Sequence, residues 1–182
     1  MTSWQISGAL ITLALLWYYF PREFMPKLLA EPGYQHLVLA SAVALSLFWS
    51  VQAGIKEGLN LHFLLVTTVV LCHGWRIAIW LCLLPMLLLI GFGKLAWQDS
   101  GLYALCSFIL PGLFSYTLFL ASYRYLSRHL FIYIFVAGFI TAALTIVLQI
   151  SLTSLWFGLE GRYSWQIIID NYWQLALLIW FP

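Results

Sequence analysis

The 182 residues carry 8% charged side chains against 64% hydrophobic ones, with a net charge of +2 and a mean hydropathy of +0.96. A soluble domain has roughly 25% charged residues, so this composition excludes a water-covered globule and indicates lipid as the solvent. Lipid admits only helices or closed barrels as spanning structures, and the apolar runs are too long for the alternating strands of a barrel. The sequence therefore predicts an all-α, polytopic transmembrane helix bundle of about six helices, forming one domain over residues 1–182.

The charged residues mark where the chain leaves the bilayer. The first apolar run is closed at Arg22 and the second at Lys56. Each long run has about the twenty residues that are needed to cross the hydrocarbon core. The last apolar stretch is about half a span and stops at Pro182, which predicts a partial helix or a chain that ends early. The predicted spans are residues 4–20, 36–54, 61–73, 76–92, 102–122 and 130–158, with a partial span at 172–182.

The region between the second and fifth spans is less regular. Residues 61–92 are apolar except for His73 and Arg76, and they are too many for one span and too few for two with a turn. The break signals lie at residues 72–76, so we expect a short helix over 60–72 and a second helix from residue 76. Interrupted helices often build binding sites in transporters, but two short tilted helices joined by a tight turn fit the pattern equally well.

The loop cations give the expected orientation. Five cations fall on one side of the predicted bundle and three on the other, and the richer side of a membrane protein is usually cytoplasmic. We therefore expect a multi-pass protein of the cell inner (plasma) membrane with its N-terminus outside. The cytoplasmic cations would be Arg22, Lys27, Arg76, Arg124 and Arg128, and the external ones Lys56, Lys94 and Arg162.

A polar stripe runs along the sixth predicted helix, at Thr141, Thr145, Gln149 and Thr153. Polar residues that repeat every four positions share one helix face. Hydrogen bonding between helices is the simpler interpretation of this stripe, and a substrate path is the alternative. Gln149 is the member that most needs partners, because it carries an amide at mid-membrane.

Four histidines and three cysteines are the candidate metal ligands. The odd number of cysteines on apolar runs favours free thiols over disulfides. His62 is expected at the start of the short helix, where the helix dipole disfavours an imidazolium and keeps the ring neutral, as a metal requires. His73 lies eleven residues further on, and a regular helix would separate the two rings by roughly 16 Å. The two histidines would then not share an ion.

Three segments resemble one family of transporters. Residues 58–64 (Gly-Leu-Asn-Leu-His-Phe-Leu), followed by His73-Gly74-Trp75, resemble a segment of the cobalt/nickel M-type permeases. These are the substrate-binding membrane subunits of energy-coupling factor ABC transporters. Residues 99–105 are similar to the family's Asp-Gly-Gly-Leu-x-Ala-Leu loop, and residues 112–124 resemble its next helix. The resemblance covers roughly residues 58–158.

The resemblance implies uptake of a nickel or cobalt ion as transported substrate, with no bound cofactor. Partner ABC ATPase subunits and a coupling transmembrane subunit would supply ATP hydrolysis. It makes His62 a metal ligand, which is consistent with the affinity of imidazole for these ions. The family's metal site also uses the free N-terminus and a histidine at position two, whereas this chain begins Met1-Thr2-Ser3-Trp4.

Other residues are therefore candidates for the missing ligand positions. His73 and Cys106 are further possible metal ligands, and Asn60 and Gln149 are candidates for a substrate path.

Two functional classes stay open. The first is the permease subunit, and the second is a membrane scaffold or assembly protein in which His62 is a packed polar residue. An enzyme is disfavoured, because the sequence has no His-Glu-x-x-His motif, no paired carboxylates inside a span and no Ser-His pair at helical spacing. It also has no Gly-x-x-x-x-Gly-Lys-Ser/Thr loop for ATP.

Overall fold

The structure is a computed structural model that describes residues 2–51, 65–126 and 129–174. These residues fold as helices without a β-strand, which confirms the predicted all-α bundle. The helices of the first half are α1 (Ser3–Tyr18), α2 (Phe24–Ala30), α3 (Pro32–Ser50), α4 (Val66–His73) and α5 (Trp75–Gly91).

The second half contains the two longest helices. The first runs over Trp97–Tyr125; it comprises a 3₁₀ turn (Trp97–Asp99), α6 (Ser100–Ala104), a π-helical stretch (Leu105–Ile109) and α7 (Leu110–Tyr125). The π-helical stretch comes just before Pro111, whose nitrogen cannot donate to the preceding turn. The chain continues through α8 (Leu130–Ile132), a π-helical stretch (Tyr133–Ile140), α9 (Thr141–Leu159), α10 (Trp165–Ile168) and a last π-helical stretch (Ile169–Trp173).

Two of the described helices are long and apolar enough to cross a membrane, judged by length and composition. They are Trp97–Tyr125 and Ile134–Leu159, and Trp75–Gly91 is a shorter apolar helix.

Helix α4 is described from Val66, and Leu65 before it has a positive φ of 49°. The predicted start of the short helix near residue 60 lies outside the described residues. The break itself lies where it was expected. Gly74 separates α4 from α5 with a φ of 81°, a conformation that a side chain would strain.

The helix that leads into the predicted partial span begins earlier in the sequence than predicted. It starts at Trp165 rather than near residue 172, because the Ser164 hydroxyl accepts a hydrogen bond of 3.4 Å from the Ile167 amide and so caps the helix.

The first helix buries polar and small residues and exposes large apolar ones, which is the reverse of a helix in a soluble protein. Its buried residues are Gln5, Gly8 and Thr12, whereas Leu10 is 63% exposed and Trp17 is 87% exposed. Large contiguous apolar surfaces are rare on soluble monomers. The distribution fits a helix whose outer surface meets lipid.

The last long helix shows this inversion only in part, because it also buries Ile150, Trp156 and Phe157. In α9 the buried set includes the whole predicted polar stripe, Thr141, Thr145, Gln149 and Thr153. Its exposed residues include Leu144, Leu155 and Leu159.

An aromatic core joins α3, α5 and the long helix Trp97–Tyr125. Trp49 of α3 is fully buried, and its ring lies 6.1 Å from that of Phe108 and 6.2 Å from that of Tyr103. The core is continued by Leu45, Cys82, Leu89 and Ile109.

The helices run between two ends of the bundle. We call the end with Thr2, Asp99 and Arg162 the clasp face, and the end with Tyr19, Tyr34 and Trp75 the aromatic face. The first turn of α1 contacts Asp99 at the clasp face, and Tyr19, just after α1, contacts Trp75 at the aromatic face. The cations follow this division: Lys94 and Arg162 lie at the clasp face, and Arg22, Lys27, Arg76 and Arg124 lie at the aromatic face.

Candidate functional site

Two of the candidate site residues, His62 and Asn60, lie outside the described residues. Their predicted roles as metal ligand and substrate-path residue stay predictions. The other three candidates, His73, Cys106 and Gln149, are all buried.

His73 is the last residue of α4 and is held against α3. Its Nε2 lies 2.9 Å from the Ser41 hydroxyl, and its ring centre lies 5.9 Å from that of Tyr34. The Nδ1 atom has no hydrogen-bond partner among the described residues. The described environment of His73 therefore consists of one hydroxyl and one aromatic ring, which do not bind a metal ion together with it.

Cys106 lies in a different part of the bundle. It belongs to the π-helical stretch of the long helix and is a buried free thiol. Its cluster contains Ile150 of α9 together with Ile168 and Tyr172 near the C-terminal end. His73 contacts α3 instead, so the structure does not gather these two candidate ligands around one point.

Two of the four residues of the polar stripe form hydrogen bonds within their own helix. The Thr145 hydroxyl donates to the Thr141 carbonyl at 2.7 Å, and the Thr141 hydroxyl donates to the Val136 carbonyl at 2.9 Å. Such hydrogen bonds let hydroxyl groups be buried without a partner helix. They favour a packing role for these two threonines over a substrate path. Gln149, on the same stripe, is 4% exposed.

The described residues do not form a conventional metal centre. No group of three or more His, Cys, Asp or Glu side chains comes together in residues 2–51, 65–126 and 129–174.

The densest polar cluster is one that the sequence analysis did not identify, and it lies at the clasp face. The Arg162 guanidinium binds the Asp99 carboxylate through two hydrogen bonds, of 2.8 Å from Nη1 and 2.7 Å from Nη2. The Gln5 amide donates a third hydrogen bond to Asp99, at 2.8 Å. Asp99 is 8% exposed and Gln5 5% exposed. Paired guanidinium–carboxylate bonds of this kind are among the stronger polar contacts in proteins.

The same guanidinium reaches a second carboxylate. Arg162 Nε lies 2.7 Å from Glu160 Oε2, and the Thr2 hydroxyl donates to Glu160 Oε1 at 3.0 Å. Hydrogen bonding to Asp99 raises the pKa of the Arg162 guanidinium. Partial desolvation of the guanidinium acts in the opposite direction but is the smaller effect. We call these five residues, Thr2, Gln5, Asp99, Glu160 and Arg162, the clasp.

Local structure prepares the N-terminal part of the clasp. The Thr2 hydroxyl caps α1 by accepting a hydrogen bond from the backbone N–H of Gln5, and the side-chain oxygen of Gln5 accepts one from the backbone N–H of Thr2 at 2.8 Å. This reciprocal capping box fixes the backbone of the first turn. It leaves the Gln5 amide nitrogen free to reach Asp99.

Close packing of small residues brings helices α1 and α6 together next to the clasp. A Cβ on Gly101 would lie 2.5 Å from the backbone of Ala9, so α1 and α6 approach as closely as glycine allows. The Thr12 hydroxyl donates to the Gly101 carbonyl at 2.9 Å. The contact is of the small-residue type that joins helices in membranes.

The clasp is therefore a structural element and does not have the chemistry of an open cation site. Three of the four carboxylate oxygens accept hydrogen bonds, and the fourth, Glu160 Oε2, lies at ion-pair distance from Arg162 Nε, although the guanidinium balances only one of the two negative charges. The signal available in the sequence was the rarity of charge, since Asp99, Glu160 and Arg162 belong to only fourteen charged residues, eight basic and six acidic.

A comparison with protein families identifies the chain. The family described as the cobalt uptake substrate-specific transmembrane region (CbiM) matches residues 1–181. The chain therefore belongs to this family of membrane transport components. The recognition drawn from residues 58–158 is confirmed and extends over nearly the whole chain. No curated protein and no solved structure matches it.

Proposed function

We propose that this member of the cobalt uptake family is the substrate-capturing membrane subunit of an energy-coupling factor ABC transporter. Its cargo in this proposal is a transition-metal ion, cobalt or nickel, that is taken up across the plasma membrane. The match of the family model to residues 1–181 is the observation that carries the proposal. The large apolar side chains exposed on α1 and α9 support it, because they suit a bundle surrounded by lipid.

Energy for uptake is assigned to partner proteins. The 182 residues contain no Gly-x-x-x-x-Gly-Lys-Ser/Thr loop, which is the usual phosphate-binding element of ATPases. In the proposed assembly ABC ATPase subunits hydrolyse ATP, and a coupling transmembrane subunit transmits the change to this chain. Affinity purification of the tagged chain from its native membrane tests this assembly, and an ATPase subunit and a second membrane protein are expected to copurify.

The proposed metal ligand is His62. An imidazole is a favourable ligand for cobalt and nickel. His73 and Cys106 remain candidates for supporting roles, but Ser41 engages Nε2 of His73, and Cys106 lies in an apolar cluster. The weight of the proposal therefore rests on His62.

Metal binding by the purified protein tests this assignment. Titration of the full chain in detergent with cobalt or nickel chloride, at neutral pH and under reducing conditions, is expected to show saturable binding. His62→Ala is expected to abolish it, while His36→Ala, which removes an exposed imidazole on α3, is the matched control and should bind as the wild type does.

Two results would contradict the proposal at different points. Wild-type protein that binds neither ion would reject the metal cargo. Equal binding by the His62 and His36 variants would reject His62 as the ligand and leave the cargo in place.

A membrane scaffold without a transport site is the second candidate. One observation favours it: two of the candidate ligands, His73 and Cys106, lie in different parts of the bundle and do not meet at one point. Reconstitution with the copurified ATPase distinguishes the two candidates, because only the permease is expected to give ATP-dependent metal uptake into vesicles.

The proposed orientation has the N-terminus outside. We assign the aromatic face, with its larger number of described cations, to the cytoplasm. Labelling of single-cysteine variants with an impermeant maleimide is expected to place position 124 in the cytoplasm. Labelling of position 124 from outside would reverse the assignment.

A further inference from the structure

The fully buried residues of the first helix are polar or small, and among its large apolar side chains Leu15 and Leu16 pack against the core. The residues that α1 buries are Gln5, Gly8 and Thr12, and its larger apolar side chains are mostly exposed. Helix association in lipid has no hydrophobic driving force, so it depends on close packing and on polar contacts. The position of α1 is therefore determined by close packing of small residues and by polar contacts.

Contacts of different kinds hold the two ends and the middle of α1. At the clasp face the first turn is held by Gln5 to Asp99 and by Thr2 to Glu160. At the aromatic face, Tyr19 packs edge-on against Trp75 at 4.5 Å, and Phe20 against Trp80 at 5.1 Å. Between the ends, α1 packs on α6 through the glycine contact at Gly101, where the Thr12 hydroxyl also donates to the Gly101 carbonyl at 2.9 Å. The first turn of α1 lies before this contact, and it is this turn that the clasp holds.

Arg162 connects the clasp to a third part of the chain. It comes from the turn after α9, and its guanidinium contacts Asp99 and Glu160 together. Its charge also lies 5.6 Å from the ring centre of Trp156 and 5.4 Å from that of Phe157. One side chain from the α9–α10 turn thus holds the carboxylates that hold α1.

We infer that the first turn of α1 can detach from the bundle and that the clasp keeps it attached, with Arg162 as the residue on which this attachment depends. We call α1 in this role the strap. When the clasp is intact, the first turn of α1 is fixed to the start of the long helix and to the α9–α10 turn. When Arg162 is lost, the Asp99 and Glu160 carboxylates repel each other, and the first turn of α1 leaves while α9 and the aromatic core stay folded. The inference does not depend on the cargo.

Hydrogen exchange measured by mass spectrometry tests the strap directly. In the full chain in detergent, Arg162→Met is expected to speed amide exchange in residues 2–12 by about tenfold to a hundredfold, the range for lost hydrogen bonds to charged groups. Exchange in residues 141–159 should stay at the wild-type rate. Lys94→Met is the matched control, because it removes an exposed cation from the same face, and it should change neither segment.

Milder variants keep the test decisive if Arg162→Met unfolds throughout. Gln5→Met removes the amide contact to Asp99 and keeps the side-chain length, and Thr2→Val removes the contact to Glu160. Each is expected to speed exchange in residues 2–12 about threefold, as the loss of one hydrogen bond does. Wild-type exchange rates there in both variants, or equal acceleration in residues 141–159, would overturn the inference.

Discussion

The two ends of α1 are held by different forces. At the clasp face charged and amide groups meet at 2.7–2.8 Å with fixed directions. At the aromatic face ring pairs meet edge-on with centres 4.5 and 5.1 Å apart. Directional hydrogen bonds fix rotation and register, whereas ring contacts tolerate small shifts. The comparison indicates that the clasp determines where α1 lies, and that the aromatic face adds contact area.

The largest expected effect is on Arg162. Replacing it by Met keeps much of the aliphatic stem but leaves Asp99 and Glu160 without a counter-charge, and should lower stability by about 2–3 kcal/mol. Thermal unfolding in detergent, followed by tryptophan fluorescence, measures the change. Lys94→Met is the control, since its ammonium is exposed and bonds only the Ser50 carbonyl among the described residues. An equal loss in both variants would remove the distinction between a clasp and general surface charge.

The next effect separates two glycines at the α1–α6 contact. A Cβ on Gly101 would meet the Ala9 backbone at 2.5 Å, whereas a Cβ on Gly8 would mainly meet the movable Leu102 side chain, at 2.5 Å from its Cγ. Gly101→Ala should therefore cost about 1–3 kcal/mol, as overpacking does, and Gly8→Ala less. The same unfolding assay ranks the two variants. The reverse order would mean that α1 shifts easily at this contact.

The aromatic face should respond less. Tyr19→Leu removes the ring contact with Trp75 and should cost about 0.5–1.5 kcal/mol. Trp17→Leu is the control, because the Trp17 ring is 87% exposed and should contribute little to the bundle. A loss at Tyr19 as large as that at Arg162 would show that both ends of α1 fix its position equally.

The smallest expected effect lies deeper at the aromatic face. Ser41→Ala removes the hydroxyl 2.9 Å from His73 Nε2 and should cost about 1 kcal/mol or less. Ser50→Ala, which removes an exposed hydroxyl bonded within its own helix, is the control. Unchanged stability in both variants would show that the Ser41–His73 contact does not hold α4 against α3.

Much of the fold follows from local sequence features. The break at Gly74 was predictable, because this glycine follows His73 and precedes Arg76 by two residues in an otherwise apolar run. The structure gives Gly74 a φ of 81°. The stripe from Thr141 to Thr153 was predictable from its four-residue spacing, and it is buried. The start of the C-terminal helix was missed, because the capping serine at residue 164 lies before the apolar stretch that defined the prediction.

The candidate site was less predictable than the fold. Residue type made His73 and Cys106 candidate ligands, but it could not show that one contacts α3 and the other the region of Tyr172. The polar face of α1 at Gln5 and Thr12 has a periodic spacing that could have indicated a buried contact.

The sequence by itself determined the solvent, the helical class and the approximate ends of the spans. These depend on composition and on neighbours a few residues apart, which lipid selects through hydrocarbon thickness and backbone hydrogen bonding. Only the tertiary structure decided that Asp99 pairs with Arg162, 63 residues further along the chain, and that Gln5 completes the pair. Charge spacing along a sequence does not specify which helix ends meet, because that depends on packing of whole helices, and here on the glycine contact that lets α1 approach α6.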